Sequence, residues 1–195
     1  MEVAVIDYEA GNVQSVLYAL QRLGVTATVT DDVALLQSAD KVIFPGVGHA
    51  GAAMQSLRQK GLDTVIKNLR QPVLGICVGM QLLCRHSEED DTEALGIIDA
   101  VVKKFEPIEE LKVPQMGWNT ITDLQGSLFA DIPRDTYVYY VHSYYVELGR
   151  HTAAQTLYGV PYSAALQQGN FYGVQFHTEK SAAAGQQILQ NFLSL

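Results

Sequence analysis

Val73-Leu74-Gly75-Ile76-Cys77-Val78-Gly79-Met80-Gln81-Leu82-Leu83 reads as a strand, a sharp turn and a helix. Val73–Ile76 is short and apolar, as a buried strand is, and Met80, Leu82 and Leu83 then fall into a helical pattern. A cysteine between two glycines at that junction is the G-x-C-x-G form of the nucleophile elbow. The flanking glycines suit a strained turn across which neighbouring side chains would clash. A thiol at a helix N-terminus faces unpaired backbone N–H groups and the positive end of the helix dipole, which favours the thiolate. Most free cysteines are small packing residues, and Cys84, two turns along the same predicted helix, fits that description. A packing cysteine needs no glycine on each side, so Cys77 reads as a nucleophile.

Outward from the elbow, the first half alternates β-rich runs with amphipathic segments. Strands are predicted at Val3–Ile6, Thr26–Thr30 and Lys41–Phe44. Asn12 is placed to cap a helix carrying Val13, Val16, Leu17, Leu20 and Leu23 at helical spacing, ending at Gly24. Val33–Leu36, a segment through Met54 and Leu57, and Leu62–Leu69 read as further helices. Continuous apolar strands alternating with helices imply a parallel sheet covered on both faces. From Ile97 to Gln175 the runs become β-branched and aromatic: Ile98–Lys103, Thr120–Ile121, Tyr137–Val141, Ala153–Thr156, Ala164–Gln167 and Phe171–Phe176. These predict hairpins and meanders extending the sheet. A helix over Ala182–Leu193 closes the chain, and the acidic run Glu88–Glu93 reads as a solvated loop. The fold expected is α/β: one domain over 1–195 with a mixed, largely parallel sheet flanked by helices and an antiparallel extension in the second half.

The 195 residues suit one domain with a substantial core. Hydrophobic residues are 48% and charged residues 17%, an ordinary soluble balance. A net charge of -8 with no basic run argues against nucleic acid or an anionic membrane as partner. No apolar stretch is long enough to span a bilayer, and Met1–Asp7 reads as a first strand rather than a signal peptide. Two cysteines on one short helix do not suggest a disulfide staple. A cytoplasmic protein with free thiols, no metal and no cofactor is expected.

A cysteine nucleophile needs a base, and the base needs an orienting acceptor. His177-Thr178-Glu179 offers both: in extended chain, side chains two apart share a face, so Glu179 can fix the tautomer of His177. His177 ends a β-rich run, and residues just past the ends of parallel strands gather on the edge where Cys77 lies. A surface histidine is the bland alternative; the charged partner and the strand-end address favour catalysis. Pro45-Gly46-Val47-Gly48 follows another parallel strand. Its glycines let the peptide around Val47 point an N–H toward a tetrahedral oxyanion, or away from it. The same composition also makes a plain tight turn.

Gly75-Ile76-Cys77-Val78-Gly79-Met80-Gln81-Leu82-Leu83 with His177-x-Glu179 downstream resembles the class I glutamine amidotransferases. Pro45-Gly46-Val47-Gly48-His49, Pro114-Gln115-Met116-Gly117-Trp118-Asn119, Tyr140-Val141-His142-Ser143-Tyr144 and Gln175-Phe176-His177-Thr178-Glu179-Lys180-Ser181 narrow the likeness. They are similar to the glutaminase subunits that serve imidazole glycerol phosphate synthesis. The likeness runs from Asp7-Tyr8 with Gly11-Asn12 to the final helix, and implies a flavodoxin-like sandwich. It also implies L-glutamine as substrate, with Cys77, His177 and Glu179 as catalytic triad. Gly48, Gln81, Ser143 and Tyr144 would bind the substrate, and Gly46, Val47 and Val78 would surround the oxyanion. The partner it implies is a barrel-shaped cyclase subunit, joined as a heterodimer, with Asn12, Met116, Trp118, Tyr139 and Lys180 at or near the contact.

For Trp118 and Tyr139 core packing is the alternative, and for Lys180 a solvated charge. Departures from the family pattern are Thr178 where Pro is usual, Gln115 for a common His, and Val78 for Leu; the first bears on how rigidly His177 and Glu179 are held. Glutaminases of pyridoxal phosphate or anthranilate synthesis are rivals, which the Met116-Gly117-Trp118-Asn119 segment disfavours. A cysteine peptidase or deglycase of similar architecture would act without glutamine. A scaffold with a vestigial site would not need the intact Cys77, His177 and Glu179. The flexible Gly46-Val47-Gly48 peptide further predicts an oxyanion donor that is misdirected until the cyclase and its ligand bind.

Overall fold

The computed structural model describes residues 1–9, 12–106 and 111–195; Gly11 of the Gly-Asn pair lies outside them. Strand β1 (Val3–Ile6) is buried throughout. Helix α1 (Val13–Arg22) is capped by Asn12, whose side chain accepts from the Ser15 N–H at 3.4 Å, as the sequence predicts. It buries Val16, Ala19 and Leu20. Then come β2 (Ala27–Thr30), α2 (Val33–Ser38), β3 (Lys41–Gly46), α3 (Ala50–Gln59), α4 (Leu62–Lys67), β4 (Val73–Cys77) and α5 (Val78–Leu83). β3 and β4 are buried at every position, the pattern of central parallel strands.

The second half holds β5 (Cys84–Ser87), β6 (Thr92–Glu93), β7 (Ile98–Lys104), β8 (Gln115–Ile121), β9 (Thr136–His142), β10 (Tyr144–Val146), β11 (Thr152–Tyr158), β12 (Val160–Gln168), β13 (Phe171–Val174) and α6 (Ala182–Leu193). The main sheet has seven strands in the order β11-β12-β13-β4-β3-β1-β2. β13, β4, β3, β1 and β2 run parallel, and β12 and β11 add the antiparallel extension.

Three expectations are corrected. Cys84 is not on the helix of Cys77: α5 ends at Leu83, and Cys84 turns to φ -68, ψ 173. There β5 pairs in parallel with β7, Cys84 opposite Ile98, so tertiary pairing overrides the helical run. Cys84 remains a packing cysteine, its thiol pushed up to about 12 by burial. Second, only β11–β13 extend the main sheet. β10-β7-β5-β6 form a sheet of their own and β8-β9 a separate hairpin, touching the main sheet's edge at the Thr122–Gln155 bridge. Third, Glu88–Glu93 is only partly solvated: Glu88, Asp90, Asp91 and Glu93 are exposed, but the segment is a 3-10 turn and a short strand with two residues turned inward. Glu89 is buried and its Oε2 accepts from the Ala50 N–H at 2.7 Å. The start of α3 requires this, because His49 at its N-cap makes no side-chain capping bond.

Candidate active site

Cys77 sits where β4 ends and α5 begins, at φ 55, ψ -111, a left-handed conformation that a β-carbon disfavours. Both flanking glycines are required by close approach. A β-carbon on Gly79 would lie 1.9 Å from the Phe44 carbonyl oxygen, and one on Gly75 2.8 Å from the Gly79 carbonyl. The elbow therefore presses α5 against β3 as well as β4, and the sheet register sets Gly46 directly opposite Cys77.

β13 lies on the other side of β4, Val174 opposite Ile76, and carries the chain to His177. Its Nδ1 lies 2.7 Å from Glu179 Oε1, both side chains almost wholly removed from solvent. The two meet across a 3-10 turn, Thr178–Lys180, rather than along an extended chain. The turn is held by Lys180 N–H on the His177 carbonyl at 3.1 Å and by His177 N–H on the Tyr139 carbonyl at 2.9 Å. The Thr178 hydroxyl has no hydrogen-bond partner among the described residues, so replacing the usual Pro adds no bond. Burial pushes the His177 imidazole down, but the Cys77 thiol and the Glu179 carboxylate more than offset it and raise it to about 10. Cys77 Sγ also accepts from Gln175 Nε2 at 3.7 Å and lies 3.8 Å from the Val141 carbonyl.

Around the thiol opens a cleft of roughly 340 Å³, within the range of small-molecule sites. Val47, Gly48, Cys77, Val78, Gln81, Ser143 and Tyr144 all line it. The structure thus gathers the predicted substrate and oxyanion residues around one space, except that Gly46 stands just behind, in β3. The Tyr8 hydroxyl, donating to the Pro45 carbonyl at 2.7 Å, anchors the strand end before Val47. Gln81 is committed by its amide N–H groups, to the Tyr144 carbonyl at 3.0 Å and to Gln175 Oε1 at 2.9 Å. Its own oxygen accepts no hydrogen bond among the described residues.

Three contributors were not read from the sequence. Gln175 is fully buried and bridges Gln81 and Cys77; a lone amide in an apolar strand was its only signal. Glu89 brings a carboxylate to the cleft wall, with His49 Nδ1 3.3 Å from its Oε1. His142 also lines the cleft. Burial pushes its imidazole down to about 4, so it is neutral. Its Nδ1–H donates to the Tyr144 carbonyl at 2.7 Å, which leaves Nε2 as an acceptor, 3.2 Å from the Tyr162 hydroxyl. That hydroxyl also lies 2.9 Å from Gln115 Oε1 yet has one proton to give, while Gln115 Nε2 has no partner among the described residues. With the Gln115 amide turned over, its N–H donates to the Tyr162 hydroxyl, which is then free to give its one proton to His142 Nε2.

The β8-β9 hairpin stands beside the cleft. Register pairs Met116 with Val141, Trp118 with Tyr139 and Thr120 with Tyr137, while Gln115, Ile121, Val138, Tyr140 and His142 point into the core. Met116 is 65% and Trp118 52% exposed, which removes the core-packing alternative for Trp118. Tyr139 is half-buried, its ring edge-on to Trp118 with centroids 5.8 Å apart. Lys180 is exposed at the cleft wall, and Asn12 caps α1, which packs against the Thr178–Lys180 turn.

Comparison with known proteins agrees with this geometry. The family description "Glutamine amidotransferase class-I" matches residues 4–195. The chain is 59% identical over 196 residues to the imidazole glycerol phosphate synthase subunit HisH of Bacteroides fragilis, covering 100% of both. It is 50% identical over 197 residues to the protein of that name from Yersinia pseudotuberculosis, again over 100% of each. A solved glutamine amidotransferase superposes with a TM-score of 0.77 at 19% identity, covering 100% of this chain and 98% of that one, a likeness of fold.

Proposed function

The chain belongs to the class I glutamine amidotransferases, and from that premise we propose that it is the glutaminase subunit of an imidazole glycerol phosphate synthase, acting in the cytoplasm as one domain over 1–195. The observation that carries the reading is the elbow cysteine sharing a cleft with a histidine held 2.7 Å from a buried carboxylate. Full-length identity to proteins named for that synthase favours it over glutaminases of other pathways. It equally favours it over a peptidase or deglycase.

Cys77 gives its thiol proton to His177 as its Sγ attacks the side-chain amide carbon of L-glutamine. The oxyanion forms beside the Val78 N–H and the Gly46-Val47-Gly48 peptide. His177 gives its proton to the amide nitrogen, the C–N bond breaks, and ammonia leaves a glutamyl thioester on Cys77. His177, now neutral and oriented by Glu179, takes a proton from water, which attacks the thioester; glutamate departs and the proton returns to the Cys77–His177 pair. At the other end of the substrate, the Glu89 carboxylate and the Gln81 oxygen suit the ammonium, and the backbone at Gly48, Ser143 and Tyr144 suits the carboxylate. The outer face of β8-β9, with Lys180 and Asn12 nearby, is the side on which a barrel-shaped cyclase subunit docks and receives ammonia. Sealing that passage keeps water from protonating ammonia to a non-nucleophilic ammonium ion.

Cys77→Ala tests the reading in the complex with the cyclase. Glutamine-dependent synthesis should fall by about a million-fold, the loss typical of removing a triad nucleophile, while synthesis from added ammonium persists. Loss of both activities would make Cys77 a structural residue.

A further inference from the structure

One hydroxyl between the triad and the hairpin is not used by this chemistry. Ser181 is 1% exposed. Its Oγ donates to the His177 carbonyl at 2.6 Å and accepts from the Tyr139 N–H at 2.9 Å. The Tyr139 carbonyl in turn accepts from the His177 N–H at 2.9 Å. These three bonds close a ring that ties the main chain of the base to that of Tyr139, whose ring stands against Trp118 on the outer hairpin face.

The local sequence sacrifices helix quality to make that ring. Ser181 is the N-cap of α6, where a serine side chain ordinarily accepts from the first-turn N–H groups, yet here it makes no capping bond. Ala182, the next residue, takes φ 48, a conformation costly for alanine. Gly185 then lets α6 close on the turn, since a β-carbon there would sit 1.9 Å from the Thr178 carbonyl oxygen. An uncapped, strained helix start that delivers one hydroxyl to His177 and Tyr139 is poorly explained by the stability of α6.

We propose that Ser181 is a positioning residue that makes the His177 main chain follow Tyr139, so that a protein seated on Trp118 and Tyr139 sets the position of the triad base. This rests on the reading of that face as the cyclase docking surface. The test is Ser181→Ala in the complex, with glutamine hydrolysis, ammonium-dependent synthesis and cyclase affinity measured together. Loss of the hydroxyl should lower kcat for glutamine about tenfold or more while leaving KM within about twofold. Cyclase affinity and ammonium-dependent synthesis should stay at wild-type levels, and Ser181→Thr, which keeps the hydroxyl, should restore kcat. If Ser181→Ala does not fold, Ser181→Cys, which keeps the volume but weakens both bonds, serves for the same comparison. An unchanged kcat, or a loss of cyclase affinity matching the loss of kcat, overturns the proposal. Trp118→Ala with unaltered cyclase affinity removes the docking reading itself, and with it the coupling, whatever Ser181 does to kcat.

Discussion

Glu89 shows what a single side chain contributes at the far end of the cleft. Its carboxylate accepts from the Ala50 N–H, faces His49, and is the acidic group lining the same space as Cys77. Glu89→Gln keeps the shape and an acceptor for Ala50 but removes the charge offered to a substrate ammonium. Charged hydrogen bonds are worth roughly 1.5–3 kcal/mol, so KM for glutamine should rise about ten- to a hundredfold with kcat changed far less. Steady-state kinetics of the complex measure this, and an unmoved KM would remove Glu89 from substrate binding. The residue was illegible because a run of acids is usually solvated, and what buries this one is a bare helix start 39 residues away in the chain. Cys77, His177 and Glu179 stood out for the opposite reason: two glycines and a one-residue spacing mark them locally, although the 3-10 turn and the Tyr139 contact that hold His177 were not foreseen.

At the scale of elements, the crossing of α5 over β3 and β4 is where the fold makes the site. Gly79→Ala would drive a β-carbon into the Phe44 backbone, which no rotamer can relieve. It should cost about 3 kcal/mol or more in urea unfolding. Gly24→Ala supplies the contrast: φ is 75 but nothing lies within 4 Å, so only strain of about 1–2 kcal/mol is expected. Equal losses would mean that contact at the elbow is not what excludes a side chain. The parallel strands could be read from their unbroken apolar runs, and α6 from its spacing. The division of the later strands among three sheets could not. Alternation shows that β8 and β9 each have an inner and an outer face, but the choice of partner depends on distant chain. Likewise the end of α5 is decided by β7, not by Leu82-Leu83-Cys84.

Across the molecule, pH reports the buried histidines, which shift in opposite directions. His142 is held neutral with its pKa down at about 4, so between pH 6.5 and 4 the unfolded chain takes up a proton that the folded one refuses. Stability owed to His142 therefore falls on acidification through that window, by about 3 kcal/mol in all. His177 is raised to about 10; its contribution is complete below pH 6.5, constant in that window, and lost only as pH climbs toward 10. The stability difference between wild type and His142→Asn should accordingly change by about 3 kcal/mol between pH 6.5 and 4, read by urea unfolding. Parallel curves would show that His142 is not buried neutral. The exposed aromatic face beside the cleft belongs to this scale too: Trp118 could be named from the sequence, but whether it stood in the core or on the surface needed the register of β8 against β9. The central proposal is that glutamine is cleaved at Cys77 and its nitrogen passed directly to the cyclase. The most direct measurement gives the complex glutamine labelled at its amide nitrogen together with unlabelled ammonium in bulk, and follows the label into imidazole glycerol phosphate. Undiluted label in the product, with one glutamate released per product, is the predicted result; label diluted to the bulk ratio, or product formed without glutamate release, would contradict it.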